Sequence, residues 1–184
     1  MKSNKLAVVF PGIGYHKDKP LLYYSTRLAQ NKGYEIVQLE YHDMPQKIRG
    51  DIAMMKKAAE LAYVQSKEQL AGVYFDEYDS VLFIGKSIGT VVLAKYASDH
   101  ELNVKQIWYT PVETTFSFST KDAVAFIGDA DPWSDVNEVK RLAREQGINL
   151  YSYPECNHSL ECADVDRNID IIKDVMKKTA VYLA

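Results

Sequence analysis

Apolar residues along this chain follow two rhythms that take turns. Short runs that are apolar on successive positions predict strands over Leu6–Phe10, Glu35–Tyr41, Ser80–Ile84, Gln106–Tyr109, Ala123–Ile127 and Asn149–Tyr153. Such runs suit central parallel strands, which are covered on both faces. Between them apolar residues recur every three or four positions, the helical period. Pro20 opens a predicted helix over Leu21–Asn31 that closes on Gly33, the usual Pro-first, Gly-last asymmetry. Ile48, Ile52, Met55, Ala59 and Ala62 predict a second helix running to about Leu70. Val91–Ala97 reads as a helix apolar around most of its circumference. Asp135 and Glu138 make an Asx form of a capping box for a fourth, with Val136, Val139, Leu142 and Ala143 inward and Gly147 as its stop. A last helix puts Val165, Ile169, Ile172, Met176, Ala180 and Leu183 on one side.

Strand and helix alternate throughout, which predicts an α/β fold: a doubly wound three-layer sandwich around a six-stranded, mainly parallel sheet. With no repeat, low-complexity tract or linker, residues 1–184 are expected to form a single domain. In the strand order 2-1-3-4-5-6 the topological switch falls between strands 1 and 3, where a ligand crevice opens at the carboxyl ends. The loops Pro11–Tyr15 and Gly85–Gly89 line that crevice.

The second of those loops carries the most informative pattern in the chain. Gly85-Lys86-Ser87-Ile88-Gly89 joins a buried strand to a buried helix and so has the form of a nucleophile elbow. The turn forces Ser87 into strained dihedrals, and its neighbours must lack a Cβ so that strand and helix can close together. The amide of Ile88, at the helix N-terminus, and one from Ile13 or Gly14 across the crevice would form an oxyanion hole.

A serine hydroxyl needs an adjacent base. His158 follows the last strand at the same sheet edge, whereas His100 follows the elbow helix and belongs to the opposite edge. His16 and His42 fall at the rim. Asp131, held in an extended loop by the proline after it, is the first choice for the acid that orients the imidazole, and Asp129 the second. Ser87, Asp131 and His158 thus follow strands 3, 5 and 6.

Over nearly its whole length the chain resembles the α/β-hydrolase superfamily. Gly85–Gly89 is similar to that family's elbow, Gly128-Asp129-Ala130-Asp131 to its acid turn and Asn157–Glu161 to its histidine loop. Phe10–Gly14 is similar to its oxyanion loop, with Pro11 where histidine is common. The resemblance implies Ser87 as nucleophile, His158 as base, Asp131 as acid and Ile13 as the preferred oxyanion donor. It further implies a minimal member, since no strands precede Leu6, and a lidless one, since Pro111–Ala123 is short. The implied activity is hydrolysis of an ester or thioester of a small acyl group. A catalytically silent binding module and an acyltransferase are the alternatives.

Composition narrows this picture by exclusion. A net charge of −3 gives no electrostatic reason to expect nucleic acid or an anionic membrane, and the paired lysines Lys56-Lys57 and Lys177-Lys178 read as solvated helix faces. No apolar stretch approaches membrane-spanning length and no signal-peptide core follows Met1, so a cytoplasmic location is expected. Cys156 and Cys162 flank His158, but without a second ligand pair they read as reduced thiols and no metal or cofactor is expected. Gly85-Lys86-Ser87 imitates the end of a phosphate-binding loop, yet Ser80 stands where its first glycine belongs. Gly12-Ile13-Gly14 begins a dinucleotide fingerprint that Lys17 ends. Lys86 is expected to lean toward solvent or a neighbouring loop.

Overall fold

In the computed structural model, which describes residues 4–118 and 122–184, the six expected strands form one parallel sheet in the order β2-β1-β3-β4-β5-β6. The strands are β1 (Lys5–Phe10), β2 (Glu35–Gln38), β3 (Ser80–Lys86), β4 (Lys105–Tyr109), β5 (Ala123–Gly128) and β6 (Asn149–Tyr153). The helices are α1 (Pro20–Asn31), α2 (Ile52–Leu70), α3 (Ile88–Asp99), α4 (Val136–Glu145) and α5 (Val165–Tyr182). The switch falls between β1 and β3, as the doubly wound order requires, with Phe10 in register with Gly85.

Successive strand residues feed opposite faces of the sheet, the period-2 consequence of the pleat. Leu6, Val8, Phe10, Phe83, Ala125 and Ile127 join the core under α2, α3 and α4. Ala7, Val9, Leu82, Ile84, Val124 and Phe126 join the core under α1 and α5. Tyr23 and Tyr24 on α1 stay largely exposed, whereas Trp108 is wholly buried in the sheet.

Two boundaries and one helix face differ from the pattern. The second strand stops at Gln38 rather than Tyr41, because its partner β1 runs out at Phe10 and only the Leu39 amide still reaches the Val9 carbonyl, at 3.0 Å. Beyond it the extended backbone is held by side chains. Gln69 pairs with both backbone groups of Glu40, and Gln65, one helical turn earlier, pairs with both of His42, at 2.8–3.1 Å. Helix α2 starts at Ile52, not near Ile48, since Gly50 adopts φ +81° and the Asp51 side chain caps the Met54 amide. Its inward row is Ala58, Ala62, Ser66 and Leu70, and Ile52 is 84% exposed. Helix α5 keeps part of its expected face: Leu183 is buried and Ile172 and Met176 pack on the core, but the centre of the buried row is Ile171, Val175 and Thr179, and Val165 and Ile169 face water.

Candidate active site

The elbow forms for a steric reason that can be read atom by atom. A Cβ on Gly89 would lie 2.1 Å from the Phe10 carbonyl oxygen, and one on Gly85 would lie 2.3 Å from Leu93 Cδ2. Only glycines let the first turn of α3 press onto the end of β1. Ser87 between them takes φ 56°, ψ −123°, a conformation that costs a non-glycine residue about 1–3 kcal/mol. The Ser87 amide donates to the Tyr109 carbonyl at 2.9 Å, and its carbonyl accepts from the Thr90 amide and hydroxyl at 2.8 and 2.6 Å. The strained residue is thereby fixed from both sides.

His158 and Asp131 arrive from β6 and β5. Their loops are stitched together by the Asp129 amide on the Tyr153 carbonyl and the Ala130 amide on the Cys156 carbonyl, both 2.9 Å. Gly128 allows this approach, since a Cβ there would sit 2.2 Å from the Cys156 oxygen. The histidine loop folds on itself around Asn157, whose side chain accepts from the Ser159 and Glu161 amides, while Cys156 and Leu160 anchor it in the core. The two thiols are free; Cys156 is buried and Cys162 half-buried.

These loops bring the three side chains into one line. His158 Nε2 lies 2.7 Å from Ser87 Oγ, and His158 Nδ1 lies 2.7 Å from Asp131 Oδ2. The other carboxylate oxygen of Asp131 accepts from the Trp133 amide at 2.9 Å, and its side chain is fully buried. The Trp133 ring stacks on the imidazole at 5.3 Å, 24° from parallel. Burial, and then the Lys86 ammonium, push the His158 pKa down from the ordinary histidine value to about 4, against the pull of Asp131. Asp129 instead pairs with Lys140 of α4 at 2.7 Å and is one-third exposed. His100 stacks on Tyr96, away from this line.

The loop after β1 lies against the elbow. A Cβ on Gly12 would be 3.2 Å from the Lys86 carbonyl oxygen and 3.4 Å from Ser87 Cβ. The Gly12 amide closes a turn onto the Tyr15 carbonyl, whereas the Ile13 and Gly14 amides have no acceptor among the described residues. Ile88, as the first residue of α3, has no acceptor within the helix for its amide either.

Above the line opens a cleft of about 1560 Å³, with His16 and His42 at its border. One wall is apolar, with Ile13, Met44, Ile48, Met55, Ile88 and Trp133 packed in one cluster, and charged residues such as Lys17, Glu40, Arg49 and Glu113 complete the lining. The clamped segment after β2 supplies much of this wall. No sequence rhythm pointed to it, because irregular backbone has none. Of the two surroundings expected for Lys86, solvent or a neighbouring loop, it takes the second: it is 1% exposed and its Nζ donates to Thr110, just after β4, at 2.6 Å. Sequence rhythm did not single out Trp133, although its place two residues after Asp131 suits an amide cap on that carboxylate.

Strand order, parallel register and helix placement define the α/β-hydrolase fold. No protein-family model matches the chain, and no curated protein does. Solved structures do. A serine hydrolase without a lid from Xanthomonas campestris is 16% identical over 99% of this chain and 84% of its own, with a TM-score of 0.63. The esterase Pf2001 of Pyrococcus furiosus is 14% identical over 98% and 83%, with a TM-score of 0.68. Est1E of Butyrivibrio proteoclasticus, solved with ferulic acid bound, is 11% identical over 96% and 90%, with a TM-score of 0.65. Among the described residues no helix is long and apolar enough to cross a membrane.

Proposed function

We propose that this protein is a serine hydrolase that cleaves carboxylic esters or thioesters through an acyl-Ser87 intermediate. One observation carries the reading: the unbroken hydrogen-bonded line Asp131–His158–Ser87, ending on a strained serine at the mouth of a cleft. Ser87 Oγ attacks the acyl carbon while His158 Nε2 takes its proton. Asp131 fixes the tautomer with hydrogen on Nδ1 and stabilises the imidazolium. The new oxyanion is received by the Ile88 and Ile13 amides, aimed at charge that develops only in the transition state. The intermediate then collapses, and Nε2 returns the proton to the departing alkoxide or thiolate. Water, deprotonated by the same nitrogen, releases the acid and restores Ser87.

The apolar wall of Met44, Ile48, Met55 and Ile88 supports an apolar acyl group. The cleft has room for chains longer than the small group expected from the short segment after β4. The likeness to the esterase Pf2001 supports an ester as the scissile bond. A fluorophosphonate probe and a panel of nitrophenyl esters and acyl thioesters of graded length test the proposal. Labelling and turnover in the wild type, both abolished in Ser87→Ala, are expected. A folded wild type that neither labels nor turns over any panel member overturns it and favours a binding module.

A further inference from the structure

A lysine next to the nucleophile, sealed from water, is an expensive thing to fold around, because burying a charge costs several kcal/mol unless it is compensated. Lys86 is compensated from two sides. Its Nζ donates to Thr110 Oγ1 at 2.6 Å and lies 4.9 Å from the centre of the Tyr15 ring. Both partners are themselves held. Thr110, fully buried at the end of β4, adopts φ 46°, unusual for a β-branched residue, and its amide donates to the Phe126 carbonyl at 2.7 Å. The Tyr15 hydroxyl accepts from the Leu21 amide at 3.1 Å, at the start of α1. The Tyr15 carbonyl in turn receives the Gly12 amide, closing the loop that presents Ile13.

Resting on the hydrolase reading above, we infer that Lys86 is a positioning residue: its ammonium, clasped between Thr110 and the Tyr15 ring, locks the Pro11–Tyr15 loop onto the elbow and so sets the Ile13 amide relative to Ser87. The contact spans β3, β4 and the loop after β1, the three elements whose relative placement decides where an oxyanion donor meets the acyl carbon. It also puts a positive charge beside the reacting centre. That charge favours a developing oxyanion and disfavours a protonated His158, an effect that Asp131 opposes when the imidazolium forms. The charged and titratable groups acting on Lys86 are Asp131 and Glu161, which favour its charged form, and Lys19, which opposes it; Lys86 itself acts on His158. Burial outweighs the two carboxylates and lowers the Lys86 pKa to about 7.

The test is Lys86→Met, which keeps the length of the side chain and removes charge and donor. Three readouts are expected to move together. Thermal stability stays level or rises, since a buried charge has been replaced by an apolar group. The rates of fluorophosphonate labelling and ester turnover fall on the order of 100-fold with KM little changed, as a displaced donor predicts. The His158 imidazole, followed by proton NMR, titrates at higher pH than in the wild type. A lysine that only packs would lower stability and leave the rate per folded molecule unchanged, and one that acts on His158 by charge alone would move its titration and leave the rate loss without a counterpart in Thr110→Val. Should Lys86→Met fail to fold, Thr110→Val removes only the acceptor, and Thr110→Ser is expected to recover most of the lost rate. Wild-type labelling and turnover rates in a folded Lys86→Met protein, wherever its His158 titrates, overturn the inference and leave the hydrolase reading intact. An unlabelled wild type defeats the reading itself, whereas the NMR arm tests the Lys86–His158 coupling without any turnover.

Discussion

Gly128→Ala isolates the approach of two loops on which the site depends. The added Cβ would stand 2.2 Å from the Cys156 oxygen and 2.6 Å from the Asn157 oxygen, both backbone atoms that no rotamer change can move. Contacts under 3.0 Å are not sustained, so the acid turn and the histidine loop must separate by about 0.8 Å at least. That strains the Ala130–Cys156 hydrogen bond at 2.9 Å and carries His158 away from a 2.7 Å contact with Ser87. A misplacement near 1 Å costs on the order of 100-fold in rate, and overpacking of this kind about 1–3 kcal/mol of stability. Turnover of a nitrophenyl ester, normalised to folded protein by circular dichroism, reads the first quantity; a urea unfolding curve reads the second. Gly72→Ala serves as control, because a Cβ there meets nothing within 4 Å. It should keep full activity and change stability by less than about 0.5 kcal/mol. A Gly128→Ala protein within a few-fold of wild-type turnover would refute the claim that this close approach positions the imidazole.

The carboxylates of the acid turn should separate cleanly. Asp131→Asn is expected to lower kcat by on the order of 10⁴-fold through the wrong imidazole tautomer, whereas Asp129→Asn loses a part-exposed pair with Lys140 worth at most about 1 kcal/mol and should leave kcat unchanged; the reverse ranking in steady-state assays would transfer the role. The acid limb of kcat/KM should lie at about pH 4 rather than at the ordinary histidine value of 6.5, because burial and Lys86 keep His158 neutral. The same shift predicts a stability effect of definite sign. Unfolded His158 takes up a proton near pH 6.5 that the folded protein refuses until about pH 4, so its contribution is present above 6.5 and is lost as the pH falls through that window. Urea midpoints measured from pH 7 to 4 check this.

Local chemistry made much of the fold legible in one dimension. Buried parallel strands announce themselves as apolar runs, and helices bounded by Pro20, Gly33, Asp135 and Gly147 are written in residues whose own dihedral or capping preferences fix the boundary. The elbow belongs to the same class, since strain at one serine and steric room at two glycines are properties of adjacent positions. Choices that depend on distant partners were legible only as a ranking. Pro132 put Asp131 ahead of Asp129 on one turn, and the histidine loop, docked through Gly128, is what sets Asp131 against His158 while Asp129 pairs with Lys140.

The limit shows most clearly at Lys86 and at the cleft wall. By type Lys86 belongs in water, and it is buried because Thr110 and Tyr15, 24 positions after it and 71 before it, converge on its amine. Glu40 and Tyr41 read as strand, yet Glu40 and His42 are clasped by two glutamines of a later helix once β1 has no backbone left to offer. The order of letters therefore determined which segments are strand or helix and which three side chains could meet. Only the packed chain decided which faces turn inward, where a charge is sealed and what shape the substrate would encounter. Backbone preference acts between neighbours; burial is decided by whatever the rest of the polypeptide brings alongside.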